Sequence, residues 1–199
     1  MTLSSTKAMK IHPTELYGVY IVDIERRSDQ RGFFGRAWCQ REFEESGLNP
    51  RFVQANVGFS HMKGTLRGMH YQRFPNEEVK FVRCTMGAVF DVVIDLRRDS
   101  PTFLKWVGAE LTAENRRMLY APEGCAHGYQ TLADNTELYY QTSQFYAPES
   151  ATGVRYNDAT FGISWPLAVS VISDADRTWP GFEWRGDKTR PTPRTESQP

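Results

Sequence analysis

The chain has 199 residues, which fits one domain of ordinary size. Its 24 basic and 24 acidic side chains give a formal net charge of zero, which argues against a polycationic nucleic-acid binder. No apolar run is long enough for a membrane-spanning helix, residues 1–10 lack the apolar segment of a secretory signal, and three widely spaced cysteines indicate reduced cytosolic thiols.

Short strands separated by turns dominate the expected secondary structure. Aromatic residues make up 13% of the chain and suit a pleated, half-buried sheet, while 15 Gly and 11 Pro interrupt the strands. The first predicted elements are a strand at 17–25, a turn with two exposed phenylalanines at 28–35, a short helix at 37–46 that stops at Gly47, and a strand at 51–60. Further strands are predicted at 79–84, 88–96, 105–111, 118–121, 126–132 and 137–142, followed by an apolar stretch at 161–166 and a final segment at 171–179.

The two strands at 79–84 and 88–96 flank Met86-Gly87 and predict a β-hairpin. Alternation in the second strand places Val89, Asp91, Val93 and Asp95 on one face and Phe90, Val92, Ile94 and Leu96 on the other. Together the elements predict one antiparallel all-β domain over residues 1–183, a sandwich or barrel with a short helix near the N-terminus. The polar, Pro-, Thr- and Arg-containing tail at 184–199 is predicted to be disordered.

Histidines are the first candidates for chemistry, and the chain has four: His12, His61, His70 and His127. A metal-binding barrel usually carries two close histidines on one strand, but Tyr71 and Gln72 follow His70, so the pattern disfavours a metal. Cys125 and His127 are two residues apart and can share a strand face, although no third group that would orient the histidine is evident. The phosphate-binding motifs GxxxxGK[ST] and GxGxxG are absent from the sequence.

Proton-transfer chemistry remains as the alternative. It needs a base with a pKa near 7, a carboxylate that orients the base, a cation that stabilises an enolate, and an acid on the opposite side. His70, an acidic residue, Lys80 with Arg67, and a tyrosine would supply these parts. Composition and spacing alone do not select them from the other charged residues.

Seven motifs, which follow one another along the chain, select these residues from the other charged ones. They are DQRGFF (29–34), FVQAN (52–56), LRGMHYQ (66–72), KFVR (80–83), DVVIDLR (91–97), PEGCAHG (122–128) and ISWP (163–166). In this combination the sequence resembles the dTDP-4-dehydrorhamnose 3,5-epimerases. The resemblance implies an antiparallel, cupin-like jelly-roll barrel. It also implies a cofactor-free epimerase that inverts C3, C5 or both in a nucleotide-diphosphate 4-keto-6-deoxy sugar through an enolate.

The resemblance also assigns catalytic roles. His70 is the expected general base, and Asp176 is its carboxylate partner, which fixes the tautomer and stabilises the imidazolium. Lys80 is the expected cation beside the enolate oxygen, where a fixed positive charge has its largest effect. Tyr140 is the expected acid that reprotonates the opposite face of the sugar.

Eight residues are implied in substrate binding. Arg67 and His127 resemble the diphosphate and sugar contacts, and an arginine suits phosphate because its planar fork matches two oxygens. Tyr146 resembles the ring that stacks on the nucleobase. The remaining expected nucleotide contacts are Arg31, Phe34, Arg36, Gln54 and Asn56, some of them reaching across a dimer.

Two departures from the family's pattern motivate an alternative. Arg36 stands where the family usually has a glutamate, and Ala175 stands where it usually has a lysine. These changes suggest a 3-epimerase that acts on a CDP- or GDP-linked 4-keto sugar, while a metal-dependent cupin is the alternative from another class. The resemblance further implies a cytoplasmic homodimer with exchanged N-terminal strands and no metal, nucleic-acid or membrane partner.

Overall fold

The structure, a computed structural model, describes residues 9–183, and the predicted tail at 184–199 lies outside them. The first half of the described chain contains β1 (Met9–Pro13), β2 (Tyr20–Ile24), β3 (Arg27–Asp29), β4 (Gly32–Phe34), α1 (Gln40–Glu45), β5 (Gln54–Ser60), β6 (Thr65–Gln72), β7 (Lys80–Met86) and β8 (Ala88–Asp95). The second half contains β9 (Trp106–Thr112), β10 (Met118–Ala121), β11 (Cys125–Thr131), β12 (Thr136–Thr142), β13 (Ala151–Gly153), β14 (Val171–Ile172) and α2 (Asp174–Thr178). Neither helix is long and apolar enough to cross a membrane.

Two sheets form the body of the domain. The first has the order β1-β2-β10-β7-β12-β5, and the second has the order β13-β6-β11-β8-β9, with β14 parallel to β6 at its side. Apart from this short parallel contact, the strand pairs of the two sheets are antiparallel. The prediction of an antiparallel, all-β jelly roll with a short helix near the N-terminus is therefore confirmed.

Apolar residues pack in three layers. The layer between the sheets contains Val82, Val93 and Leu138, each at most 1% exposed. Phe43 of α1 is fully buried against the outer face of the first sheet, and burial of such a ring stabilises the fold by roughly 1.5–3 kcal/mol. The segment after β13 covers the outer face of the second sheet through residues such as Phe161.

The predicted β7–β8 hairpin is wrong. Strand β7 pairs with β10 and β12 in the first sheet, whereas β8 pairs with β9 and β11 in the second. Gly87, at a φ of +74°, lets the chain pass from one sheet to the other. A Cβ at this position would lie 2.4 Å from the Thr136 hydroxyl, so the crossover also needs a residue without a side chain.

The predicted alternation along β8 is confirmed, since Val89 and Val93 face the interior while Val92 and Ile94 pack on the outer layer. Strand β6 was not among the predicted strands, because its polar residues and Gly68 weaken a period-2 pattern. Gly68 has a φ of +137°, and a Cβ there would lie 2.6 Å from the backbone of Gly128 on β11. This close approach brings the strand that carries His70 against the strand that carries His127.

Candidate active site

The predicted catalytic residues come from four elements around the space between the sheets. Lys80 and Tyr140 lie on β7 and β12 of the first sheet, and His70 lies on β6 of the second, with Asp176 on α2. The Lys80 Nζ donates a hydrogen bond to the backbone carbonyl of His70 at 3.4 Å, which links the two sheets at the site. The structure therefore brings together residues that are up to 106 positions apart in sequence.

His70 and Asp176 form a hydrogen-bonded dyad. The His70 Nε2 lies 2.6 Å from Asp176 Oδ1; the imidazole is 45% exposed and the carboxylate 8% exposed. With the Nε2 proton directed at Asp176, the lone pair of Nδ1 can accept a proton from a substrate. This geometry suits an oriented general base whose ring is partly exposed.

Asp176 is held as an anion by several donors. Burial raises the pKa of this carboxyl group, but hydrogen bonds from His70, the Gly68 amide and Trp179 outweigh burial and lower its pKa below the ordinary value. Ser173 caps α2 by accepting the amide hydrogen of Asp176 at 3.1 Å, which fixes the backbone of the dyad. The carboxylate is thus preorganised to stabilise a protonated His70.

Trp179 contacts both residues of the dyad, and it was not among the site residues predicted from the sequence. Its indole Nε1 donates to Asp176 Oδ1 at 3.3 Å, and its ring meets the His70 ring edge-on at 6.4 Å between centroids. Gly153 leaves room for the indole, since a Cβ there would lie 2.5 Å from it. The sequence spacing could have indicated this contact, because Trp179 follows Asp176 by three residues and so lies on the same side of a helical turn.

Lys80 and Tyr140 share their surroundings with Glu78, which sequence reasoning also missed. Glu78 forms an ion pair with Lys80, and each of the two side chains is 10% exposed. Burial raises the pKa of the half-buried Tyr140, and the negative charge of Glu78 raises it further, against the opposing effect of Arg67. The phenol is therefore protonated at neutral pH, as a proton donor must be.

A second histidine–carboxylate pair lies beside the first. His127 Nε2 is 2.9 Å from both oxygens of Asp91, which is fully buried, and His127 lies opposite His70 across the β6–β11 pair. Sequence alternation placed Asp91 on the same face as Val89 and Val93 without linking it to His127. Burial raises the pKa of the Cys125 thiol to about 12, so the form present at neutral pH is the thiol, which does not suit a nucleophilic Cys–His pair. In the part of the chain that the structure describes, no three His, Cys, Asp or Glu side chains form a group that could hold a metal.

Four of the predicted substrate-binding residues lie close to this centre or at its rim. Arg67 donates to the Phe59 carbonyl at 2.9 Å and to the Ser60 hydroxyl at 3.3 Å. Asn56 lies opposite Tyr140 in the β5–β12 pair. Gln54 accepts the amide hydrogen of Tyr146 at 2.6 Å and thereby holds a tyrosine that is 67% exposed. An exposed ring fixed by its backbone suits the predicted stacking on a base.

The other three predicted nucleotide contacts lie away from the interior. Arg31 and Phe34 belong to the separate β3–β4 hairpin, where Arg31 pairs with Asp29 and Phe34 is 75% exposed. Arg36 pairs with the buried Glu42 at 2.6 Å, and Glu42 also accepts the amide hydrogen of Met9 at 3.1 Å. Within residues 9–183, the structure does not bring these three side chains to the dyad, and their binding roles stay predictions.

Comparisons with known proteins agree with this arrangement. A family model described as dTDP-4-dehydrorhamnose 3,5-epimerase matches residues 13–183. A dTDP-4-dehydrorhamnose 3,5-epimerase of Shigella flexneri is 44% identical over 169 residues, which are 84% of this chain and 93% of the relative. A dTDP-4-dehydrorhamnose 3-epimerase of Streptomyces niveus is 37% identical over 170 residues, 85% of this chain and 82% of the relative.

Solved structures show the same similarity. The crystal structure of a dTDP-4-dehydrorhamnose 3,5-epimerase from Bacillus anthracis, with TDP and PPi bound, superposes with a TM-score of 0.85 at 38% identity. The match covers 88% of this chain and all of the Bacillus chain. The cupin-like fold and the sequence similarity therefore extend over nearly the whole described domain.

Proposed function

The chain belongs to the dTDP-4-dehydrorhamnose 3,5-epimerase family and is an isomerase of nucleotide-linked 4-keto-6-deoxy sugars, and from this we infer that dTDP is its nucleotide and that it inverts both C3 and C5. The matching family model and relatives are named dTDP-4-dehydrorhamnose 3,5-epimerase, which supports dTDP as the nucleotide and inversion at both carbons. The His70–Asp176 dyad, with a partly exposed imidazole beside Lys80, is the observation that carries the proposed mechanism.

The proposed reaction begins with removal of a carbon-bound proton next to the 4-keto group. The Nδ1 of His70 takes this proton, and the electron pair of the C–H bond moves toward the keto oxygen to give an enolate. The Lys80 ammonium stabilises the negative oxygen, and Asp176 stabilises the imidazolium. Tyr140 then delivers a proton to the opposite face of the same carbon, which inverts it. Exchange with solvent returns a proton to Tyr140 and removes one from His70.

Inversion at two carbons needs no second base. C3 and C5 both adjoin the C4 carbonyl, so the same enolate chemistry acidifies the proton on either carbon. One His70 and one Tyr140 can therefore serve both carbons in succession.

The structure gives Arg36 a role that does not involve a different nucleotide. Its ion pair with buried Glu42 joins the segment before α1 to β1, since Glu42 also binds the Met9 amide. The change from the family's usual glutamate therefore has a structural explanation, which weakens the argument for CDP- or GDP-linked substrates.

Deuterium exchange tests the proposal. When the enzyme acts on dTDP-4-keto-6-deoxyglucose in D₂O, we expect NMR to show deuterium at C3 and C5. The CDP- and GDP-linked analogues should exchange little. His70→Ala should reduce the rate on the order of 10²–10⁴-fold, while His61→Ala, an exposed histidine, serves as the control. Deuterium at C3 alone would indicate a 3-epimerase, a preference for CDP or GDP would refute the choice of nucleotide, and an active His70→Ala would refute the mechanism.

We also propose that the enzyme is a cytoplasmic homodimer. Strand β1 forms an edge of the first sheet and pairs with β2 of its own chain, so its other side can accept a strand from a partner copy. Three free cysteines, two of them buried, suit a reducing compartment. Light scattering after size-exclusion chromatography should give twice the chain mass, and removal of residues 1–8 should weaken the dimer if N-terminal strands are exchanged. Cell fractionation tests the compartment.

A further inference from the structure

Glu78 is a buried carboxylate at the active site to which the mechanism above assigns no task. It precedes β7 by two residues, and its side chain is 10% exposed. It forms an ion pair with Lys80, whose Nζ also donates to the His70 carbonyl at 3.4 Å. The ammonium thus lies between an acid from the segment before its own strand and the backbone of the strand that carries the base.

The backbone around Glu78 fixes the direction of its side chain. The Val79 amide donates to the Ser143 hydroxyl at 2.8 Å, and the Ser143 amide donates to the Val79 carbonyl at 3.1 Å. These bonds continue the pairing of Lys80 with Thr142 beyond the end of β7. Because Val79 packs on the outer layer, alternation turns both Glu78 and Lys80 to the interior.

Burial makes the two charges depend on one another. Removal of a charge from water is unfavourable, and a nearby opposite charge offsets this cost only when both partners are present. The long, flexible stem of lysine allows several positions for its ammonium, so a fixed partner restricts it. An ammonium that must meet a developing enolate oxygen benefits from such restriction before the substrate arrives.

We propose that Glu78 is a positioning residue of this epimerase: it holds the Lys80 ammonium in place beside His70. The effect on catalysis rests on the proposed function. The ion pair and the electrostatic effect of Glu78 on Tyr140 are properties of the free protein.

The effect on Tyr140 has a definite sign. The charged and titratable side chains that interact with its phenol are Glu78 from the segment before β7, Arg67 from β6 and Tyr129 from β11. Glu78 raises the pKa of Tyr140 in addition to burial, whereas Arg67 lowers it. Loss of the carboxylate charge removes one of the two effects that oppose Arg67, so the phenol should ionise at lower pH.

The experiment compares Glu78→Gln with Glu77→Gln, the same change at the neighbouring residue. We expect Glu78→Gln to lower kcat about 10- to 100-fold with little change in KM, as for a displaced catalytic group, and to move the basic limb of the kcat–pH profile to lower pH. Glu78→Asp should restore the position of the basic limb because it restores the charge. Glu77→Gln should stay within about twofold of the wild type in rate.

A second readout does not depend on turnover. Ultraviolet titration of tyrosinate, with Tyr140→Phe subtracted to isolate the Tyr140 signal, should show ionisation at lower pH in Glu78→Gln than in the wild type. Unchanged kcat and an unchanged basic limb in a folded Glu78→Gln would overturn the proposal, as would a rate loss with neither a shifted limb nor a shifted titration. A shifted titration in a protein without epimerase activity would instead count against the proposed function alone.

Discussion

The carboxylate of the dyad offers a direct test of the proposed base. Asp176→Asn preserves the shape of the side chain and removes its negative charge, 2.6 Å from the His70 imidazole. Two unit charges about 4 Å apart at an effective dielectric constant near 20 interact by about 4 kcal/mol. The imidazolium formed during proton abstraction loses this stabilisation, so kcat should fall on the order of 10²–10³-fold.

The assay is deuterium exchange at the carbons next to the keto group, measured by NMR at neutral pH. Asp174→Asn is the matched control, since Asp174 lies on the same short helix but is exposed. It should exchange at nearly the wild-type rate. Equal rates for Asp176→Asn and the wild type would refute the argument that this charge stabilises a protonated His70, and so would an equal loss in both variants.

Three further predictions concern the acid, the dyad and the fold. In Tyr140→Phe, His70 should still exchange the proton on its own face of the sugar, but inversion should slow on the order of 10²–10⁴-fold. NMR measures the deuterium exchange, and analysis of the product measures the inversion. Trp179→Phe removes the indole donor to the dyad carboxylate and should lower kcat severalfold, whereas Trp165→Phe, whose indole binds a backbone carbonyl away from the dyad, should not. Asp95→Asn should destabilise the fold by roughly 3–5 kcal/mol, seen by denaturant unfolding, because it leaves Arg97 without its buried partner; exposed Asp99→Asn should change stability by less than about 0.5 kcal/mol.

The Asp95 prediction also carries a pH dependence. Burial raises the pKa of this carboxyl group, but hydrogen bonds from Arg97, Ser100 and Thr102 outweigh burial and lower it. A lowered folded-state pKa stabilises the protein above the unfolded value of about 3.9, and that stability disappears as the pH falls through the folded-state value. The difference in unfolding free energy between wild type and Asp95→Asn should therefore shrink in acid. A difference that is constant down to pH 2 would contradict this assignment.

Local sequence pattern predicted strands better than it predicted their partners. Alternation along β8 correctly assigned Val89 and Val93 to one face and Val92 and Ile94 to the other, because side-chain direction depends only on the strand itself. The turn at Gly87 was misread as a hairpin because a tight turn between two strands looks the same whether the strands pair or enter opposite sheets. Strand β7 does not pair with β8 because β10 and β12, which are distant in sequence, occupy both of its edges.

At the active site, too, the sequence predicted individual residues better than their contacts. Motif resemblance supplied His70, Asp176, Lys80 and Tyr140, and the structure places them around one space. It assigned no role to Glu78, Asp91 or Trp179, which contact Lys80, His127 and Asp176 respectively, because such contacts depend on which elements face each other. Asp91 meets His127 only through the register of β8 with β11, which no local pattern encodes.

Three basic side chains of the site each contact an acidic side chain. His70 faces Asp176, His127 faces Asp91 and Lys80 faces Glu78, so each of these basic groups has its own acid. Arg67 differs, because the contacts that the structure gives it within residues 9–183 are a backbone carbonyl and a hydroxyl rather than a carboxylate. A guanidinium whose charge is not matched by an acid attracts an anion more strongly than one that already has a partner. The diphosphate of the substrate should therefore bind at Arg67, while the three paired groups remain available for the sugar ring.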